Sequence, residues 1–369
     1  MKILHTADLH LGRPFVGLGA KGAVLRDTQM QTLKRIVKTA TTEDVDAMVV
    51  AGDLFDSNSV SGSLSRRVVS EFAKLHQVPV LILPGTHDWL NETCVYHRRE
   101  FRDAPNIQVF GIDGSMFEVG DAAIHGYATH SKGRERPLRA LSADPDADVN
   151  IAAVHGSIKI ASKSSPQDYL ITNEDIDRSG QDYVCLGHWH KKQDFSVNGV
   201  PAHYPGAPEQ LKFGEAGGAG CVLIVELKGG RVKVEPVQVG RFIWIEKTID
   251  FAKYPPGPAL DAEIGATAGD DVLMRVKLAG VLPKGVRIDA SELEKRFEED
   301  FFHIEVDTSR IGFQLDDLEG LFPKGTVGAL YIERLQREIK KAGKSEDKER
   351  LLEALHRGAG MLSGEMEVV

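Results

Sequence analysis

Five short motifs carry residues able to do chemistry: Ala-Asp-Leu-His (7–10), Gly-Asp-Leu-Phe-Asp (52–56), Gly-Thr-His-Asp (85–88), Val-His-Gly (154–156) and Gly-His-Trp-His (187–190). Each lies at or just after an apolar run that reads as a strand. Asp8 and His10 stand two apart at a predicted strand end, where side chains two apart share a face and can reach one ion. His188 and His190 repeat that spacing. Gly52 lets the backbone turn sharply and carry Asp53 into a cleft. The set offers the carboxylates of Asp8 and Asp53 and the imidazoles of His10, His155, His188 and His190. With no thiolate among them, these donors suit manganese, iron or catalytic zinc over a structural zinc site. They are too many for one tetrahedral ion and fit two ions sharing a carboxylate. Two ions roughly 3.5–4 Å apart are the arrangement that cleaves phosphoesters. Any one motif alone reads as a solvated strand end or a core histidine; the five in this order do not.

The elements that must position these motifs alternate strand and helix. MKILHTAD, DAMVVAGD and VPVLILPG read as buried strands. VLRDTQMQTLKRIVKTA and SGSLSRRVVSEFAKLH between them have helical spacing, with Ser and Asn before the second as caps. This βαβαβ order implies a mostly parallel sheet, and ligand sites form at the carboxyl ends of such strands. From about residue 107 strands dominate: NIQVFG, AAIHGYA, VNIAAVHG, DYVCLGH, GCVLIVEL and RVKVEPVQV. The polar stretch 131–148 reads as an inserted loop. A smaller α+β pattern begins near RFIWIEKTIDF, and the end reads as two helices around a Gly-Lys-Ser break. The expected division is therefore 1–240, 241–325 and 326–369.

At 369 residues the chain is too long for one ordinary core. It is 42% hydrophobic and 27% charged, a globular composition. No run approaches the roughly 18 apolar residues of a membrane span. Asp8 and His10 fall where a signal peptide would be apolar, and the three scattered cysteines make neither a disulfide framework nor a thiolate metal site. A cytoplasmic protein is expected. A net charge of −9 argues against nucleic-acid binding by bulk charge, though bound divalent cations or a local basic patch can still hold phosphates.

The five motifs resemble the calcineurin-like metallophosphoesterase superfamily, whose pattern is DxH, GDxx[DH], GN[HD], a lone His and GHxH. More narrowly, ADLHLG, AGDLFD, GHWH and the later YPGAPEQLKFGE resemble the SbcD-type nucleases of DNA double-strand-break repair. The resemblance covers residues 1–215 well, the small α+β unit only by position and size, and the tail barely. It implies an α/β/β/α sandwich (1–240) with a small α+β cap (241–325) and short C-terminal helices (326–369). It implies a hydrolase with exonuclease and endonuclease action on DNA and a pair of divalent ions, manganese expected. DNA is the expected partner, with an SbcC-type ATPase docked on the C-terminal helices and a homodimer as further assemblies, and no membrane.

Carried over residue by residue, the resemblance implies that Asp8, His10, Asp53 and His190 hold one metal and that Asp53, His155 and His188 hold the other. An acidified water attacks the phosphorus. His87 faces the leaving group as proton donor or transition-state stabiliser, and Asp88 orients its ring. The departure is Thr86, where the family has an Asn whose amide oxygen ligates the second metal. The Thr86 hydroxyl sits one bond nearer the backbone and is expected to fall short of the ion, weakening the second site.

Other residues admit plainer readings. Asp56 is either a partner in the site or an N-cap. Arg13 either touches a substrate phosphate or is a solvated loop residue. HRREFR (97–102) and Lys191–Lys192 either track a DNA backbone or are solvated faces. Trp89 and Trp189 either stack on bases or pack around the site. Two other function classes remain beside the nuclease: a phosphoesterase acting on nucleotides or other small phosphodiesters, and a non-catalytic DNA-binding scaffold motivated by Thr86.

Overall fold

The computed structural model describes residues 1–112, 114–130, 136–159, 169–215, 218–282, 286–313, 318, 320–343 and 345–363. The chain divides into two compact units, Met1–Phe242 and Ile243–Val369.

The first unit opens with β1 (Lys2–Thr6), α1 (Gly19–Thr42), β2 (Ala47–Ala51), α2 (Gly62–Phe72), β3 (Val80–Leu83), α3 (Arg99–Arg102) and β4 (Ile107–Val109). It continues through β5 (Ser115–Val119), β6 (Ala122–Tyr127), β7 (Val149–His155), β8 (Ser157–Ile158), β9 (Leu170–Ile171), α4 (Asn173–Asp177) and β10 (Tyr183–Gly187). It closes with β11 (Gln193–Asp194), β12 (Ala202–Tyr204), β13 (Cys221–Lys228) and β14 (Arg231–Gln238).

Two six-stranded sheets result, in the orders β14-β13-β1-β2-β3-β4 and β11-β12-β10-β7-β6-β5. β1 to β4 run parallel, as do β6, β7, β10 and β12. The period of two along each strand decides which layer each side chain joins. Ile3, Val49 and Leu81 face the space between the sheets, where they meet Ile124, Ile151 and Cys185 of the second sheet. Leu4, Val50 and Ile82 face the opposite way, onto Leu33 and Ile36 of α1 and Val68 and Phe72 of α2. Each fully buried side chain of this kind contributes roughly 1.5–3 kcal/mol. The outer face of the second sheet is covered by a slighter layer, Ile176 of α4 and Leu138 of a short 3₁₀ turn, Pro137–Ala140. The architecture is the expected α/β/β/α sandwich. That 3₁₀ turn lies within the polar 131–148 stretch, so the stretch is partly ordered on the sheet; residues 131–135 lie outside those described.

Caps follow local chemistry. Ser61 begins α2, its hydroxyl accepting from Leu64 N. Thr172 and Asp175 form a reciprocal capping box on α4.

The second unit holds β15 (Ile243–Asp250), α5 (Pro258–Gly265), β16 (Gly269–Leu282), α6 (Ala290–Arg296), β17 (Phe301–Phe313), α7 (Val327–Lys341) and α8 (Ser345–Ser363). Its three strands are all parallel, in the order β15-β16-β17. Met274, Val276 and Leu278 of β16 enter the core with Leu260, Ile264 and Leu293 of the crossover helices. The alternate residues Arg275 and Lys277 pair with Glu246 on the neighbouring strand. α7 and α8 pack together through Ile332, Ile339 and Leu355, and belong to this same compact unit. Among the described residues no helix is long and apolar enough to cross a membrane.

Candidate metal centre

The motif residues gather at the carboxyl ends of β1, β2, β3, β7 and β10, drawn from both sheets. Asp8, His10 and His190 offer ligand atoms all within 4.8 Å of one another, as do Asp8, Asp53 and His155. A third such group is His10, Asp53 and His87. Asp8, His10, Asp53 and His155 are almost wholly buried.

The local geometry that brings them there is not strand geometry. β1 ends at Thr6, so Asp8 and His10 converge from a turn rather than from one face of a strand. Asp8, His10, Asp53 and His188 all have positive φ, between 45° and 112°. Such conformations cost a non-glycine residue about 1–3 kcal/mol and persist only when the surroundings impose them. Here the β1–β2 ladder continues past the strand ends: Asp8 N bonds Gly52 O, His10 N bonds Asp53 O and Leu11 N bonds Leu54 O. From α1, the buried Gln29 amide donates to the carbonyls of Leu9 and His10 at 3.1 and 3.0 Å. Two glycines allow the sheets to close on each other. A Cβ on Gly52 would collide with the His155 ring, and one on Gly187 with the Ala51 carbonyl.

Asp53 is the hub. Its Oδ2 lies 3.2 Å from His155 Nε2, 3.6 Å from His10 Nε2 and 3.2 Å from the Thr86 hydroxyl that donates to it. Its Oδ1 accepts from His87 N at 2.8 Å. Burial favours the neutral acid, but His155, His10 and His87 override it and hold the Asp53 carboxyl far below the usual range. Burial likewise opposes charge on His155, yet the Asp53 carboxylate raises its pKa to about 9. An ion bound at His155 Nε2 would displace a proton from this ring, so metal binding there is coupled to proton release.

Three imidazoles are anchored in the same sense. His10 Nδ1 bonds Asp56 Oδ1 at 3.1 Å, His155 Nδ1 bonds the Ala51 carbonyl at 3.0 Å, and His190 Nδ1 bonds Glu215 Oε1 at 2.6 Å. Carboxylate and carbonyl oxygens only accept, so Nδ1 carries the proton in each ring and Nε2 is the atom offered to an ion. His10 Nε2 is buried with no hydrogen-bond partner. A buried nitrogen left unpaired beside carboxylates fits a cation site, because it would otherwise cost about 1–3 kcal/mol. The residues present thus fit a divalent ion of the hard or borderline kind.

Asp56 is therefore a partner in the site and not a cap; the cap of α2 is Ser61. Arg13 pairs with the same Asp56 Oδ1 at 3.2 Å. Glu215, which stands outside the expected ligand set, comes from the YPGAPEQLKFGE stretch. Its signal was the presence of that stretch after GHWH, but no periodicity connects it to His190.

The remaining motif residues divide. His188 donates its backbone N–H to both Asp8 carboxylate oxygens at 3.1 Å, and its ring lies 5.2 Å from that of His155. It belongs to none of the close ligand groups. Thr86 is not withdrawn from the site: its hydroxyl is 3.4 Å from His155 Nε2 as well as bonded to Asp53. His87 is exposed, its Nδ1 bonding the Asp56 carbonyl at 3.1 Å and its ring 4.6 Å from that of His10.

Asp88 does not orient the His87 ring. Its carboxylate accepts from Gly85 N at 2.7 Å, Phe55 N at 3.0 Å and the Tyr96 hydroxyl at 2.5 Å. Both oxygens are engaged beneath the loops, so Asp88 ties the turn after β2 to the turn after β3. Burial, and then the Asp53 charge, raise its pKa. Asp88→Ala leaves these three buried donors unpaired. Each unpaired group costs about 1–3 kcal/mol, so the variant is expected to lose at least about 3 kcal/mol in urea denaturation. A midpoint matching the parent's would refute the clamp.

Trp189 stacks on Tyr204 at 5.3 Å and its indole N–H bonds Ser157, so it packs beside the site. In the HRREFR stretch, Arg98 is spent on Ser65 and Val60 and Arg99 on Asp103.

Known proteins resemble this chain in sequence. The family model described as calcineurin-like phosphoesterase matches residues 1–192. An uncharacterized metallophosphoesterase, YhaO of Bacillus subtilis, is 25% identical over 303 residues, 77% of this chain and 73% of that protein. The DNA double-strand break repair protein Mre11 of Methanopyrus kandleri is 27% identical over 272 residues, 65% of this chain and 57% of that protein, so the match spans little more than half of it. Among solved structures, a dimetal phosphatase from Danio rerio is similar with a TM-score of 0.42 and 11% identity, over 65% of this chain and 96% of that one.

Proposed function

The chain belongs to the calcineurin-like phosphoesterase family, and from that premise we propose that it is a two-metal phosphodiesterase acting on DNA, with manganese as its working ion. The observation that carries the two-metal part is Asp53, a buried carboxylate within 3.6 Å of imidazoles on both sides, His10 and His155. Asp8, His10 and His190 would hold one ion beside it, and His155 and His188 the other, with the Thr86 hydroxyl one bond short of it. Bound there, the ions would supply positive charge to the phosphoester and acidify the attacking water.

The chain's own residues supply the rest. Asp56, Ala51 O and Glu215 hold the three imidazoles with Nε2 presented, which saves reorganisation on binding. Asp8 aligns the His188 backbone. His87, on the exposed rim with its Nδ1 held by the Asp56 carbonyl, would give a proton to the departing oxygen.

DNA as substrate is supported by the Mre11 relative, named for double-strand break repair, and by the YPGAPEQLKFGE stretch. In this reading the C-terminal helices are the surface for an ATPase partner. The test is incubation with labelled linear and circular DNA across Mn²⁺, Mg²⁺ and Zn²⁺. Cleavage in Mn²⁺ is expected; turnover of a small diester with no action on DNA would remove the nuclease reading. Hydrolysis of a nucleotide or other small phosphodiester is the second reading, favoured by the net charge of −9.

Thr86 makes a separate expectation. An Asn there reaches about one bond further and is a better neutral donor to a hard ion. Gaining such a partner changes affinity by about 10–100-fold. Thr86→Asn should therefore lower the Mn²⁺ concentration for half-maximal cleavage, with less change in rate at saturating metal. Coincident titration curves would show that the Thr86 hydroxyl, already bonded to Asp53, is not limiting. An inactive parent beside an active Asn variant would instead support the scaffold.

A further inference from the structure

Beside His190 lies a cleft of about 360 Å³ that none of the metal-site roles uses. It is lined by Lys191, Lys192, Pro205, Ala207, Gln210 and Cys221, and His190 and Glu215 form the end nearest the metal centre. A single sequence stretch builds both places. Gly206 has φ +79°, and a Cβ there would meet the backbone of His190, Lys191 and Lys192 at 2.8, 3.0 and 2.7 Å. Only glycine lets the Pro-Gly turn lie this close. Ala207 N then donates to His190 O at 3.0 Å. Nine residues after Gly206, Glu215 holds the His190 ring, and its own carbonyl accepts from the Gln210 amide. A group seated in the cleft is thus fixed relative to the His190 imidazole.

The charge of this wall is out of keeping with the chain. Net charge is −9, yet Lys191 and Lys192 are adjacent, exposed and, among the described residues, without an ion-pair partner. Two lysines without carboxylate partners on one cleft favour an anion there. Pro205, Ala207, Cys221 and Pro236 give the cleft an apolar wall, with the amides of Gln210 and Gln238 beside it. A cleft of this size, with an apolar wall and a few polar groups, suits part of a small organic ligand.

We infer that this cleft seats the nucleotide flanking the scissile bond of single-stranded DNA, with Lys191 and Lys192 meeting its phosphate and the Pro205–Ala207 wall its sugar. The inference rests on the nuclease reading for its substrate class and goes beyond it in naming the subsite.

The test is binding of a fluorescent single-stranded oligonucleotide, by anisotropy, to the full chain in chelator, so that cleavage plays no part. The variants are Lys191→Ala/Lys192→Ala and, as the charge-keeping control, Lys191→Arg/Lys192→Arg. Both residues are exposed, so folding is preserved. The alanine pair is expected to bind about tenfold more weakly, and its salt slope should fall by about 0.7 for each phosphate no longer neutralised. The arginine pair should bind like the parent. In Mn²⁺, the alanine pair should hydrolyse bis(p-nitrophenyl) phosphate, which has no flanking phosphate, at the parent rate. Equal affinity of parent and alanine pair overturns the cleft assignment, even if DNA is cleaved. So does a parent that binds no DNA, or an equal loss on the small diester and on DNA. Binding that depends on the lysines, without cleavage in any metal, sinks the nuclease reading and leaves the subsite standing.

Discussion

Asp53→Ala is expected to lose both metal occupancy and hydrolysis. The carboxylate is 1% exposed and its Oδ2 is within reach of His10, His155 and Thr86. Its loss takes the shared ligand from both candidate ion positions. It also leaves the buried His155 without the charge that raises its pKa to about 9. Removing one partner of a buried pair typically costs about 3–5 kcal/mol when the other stays charged; here His155 would deprotonate instead, and the site would lose its negative hub. Several kcal/mol of metal-derived stabilisation corresponds to a rate loss of about 10³-fold or more. The measurement is ions bound per chain by elemental analysis, with phosphodiester hydrolysis alongside. Asp53→Asn is the control for shape: it can still accept from His87 N but carries no charge, so it should lose metal nearly as completely. Two fully retained ions in Asp53→Ala would contradict the hub assignment.

His87→Ala should behave in the opposite way, keeping the ions and losing rate. His87 is exposed and its Nδ1 is bound to the Asp56 carbonyl, which leaves the other ring nitrogen for substrate. General acid–base groups contribute about 10²–10⁴-fold, and the loss should fall in that range on DNA, whose leaving group is a basic alkoxide. On a p-nitrophenyl ester the leaving group needs little protonation, so the same variant should lose much less. That contrast separates a proton donor from a residue that merely packs. His10, Asp53 and His87 also form a close group of potential ligands. A fall in bound ions in His87→Ala would assign the ring to metal binding instead.

These two variants act on residues only 2.8 Å apart at the Asp53 Oδ1–His87 N bond. Removing the Asp53 side chain therefore frees the loop that carries His87, whereas removing the His87 ring leaves its backbone bond in place. The alanine at 53 is for that reason expected to be the more damaging of the two, and a double variant should be no worse than Asp53→Ala alone.

Several features could be read without the fold. The strand–helix alternation determined a mostly parallel sheet buried on both faces, with Ile3 and Leu4, or Leu81 and Ile82, facing opposite ways, and the sandwich of two sheets was implied by the family resemblance. The donor types in the five motifs, each just past a strand, determined that carboxylates and imidazoles would gather at one sheet end. What local pattern cannot encode is which distant residue completes each of them. Asp56 lies 46 residues from the His10 it holds, Glu215 25 from His190, and the Ala51 carbonyl 104 from His155. The His155 pairing follows from how closely the sheets approach at Gly52 and Gly187, and the other two from loops that return to the same strand ends; all three are matters of tertiary packing. The same limit explains Asp88: adjacency suggested the His87 ring, but the loop turns its carboxylate down onto Phe55, Gly85 and Tyr96. It also explains Asp8 and His10: their spacing predicts a shared strand face, but their convergence comes from left-handed backbone imposed by the β1–β2 ladder. Residue type and period specify which chemistry a segment can offer and which way its side chains point. The partners that hold those side chains in place are set only when the loops after neighbouring strands, and at His155 the two sheets, come together.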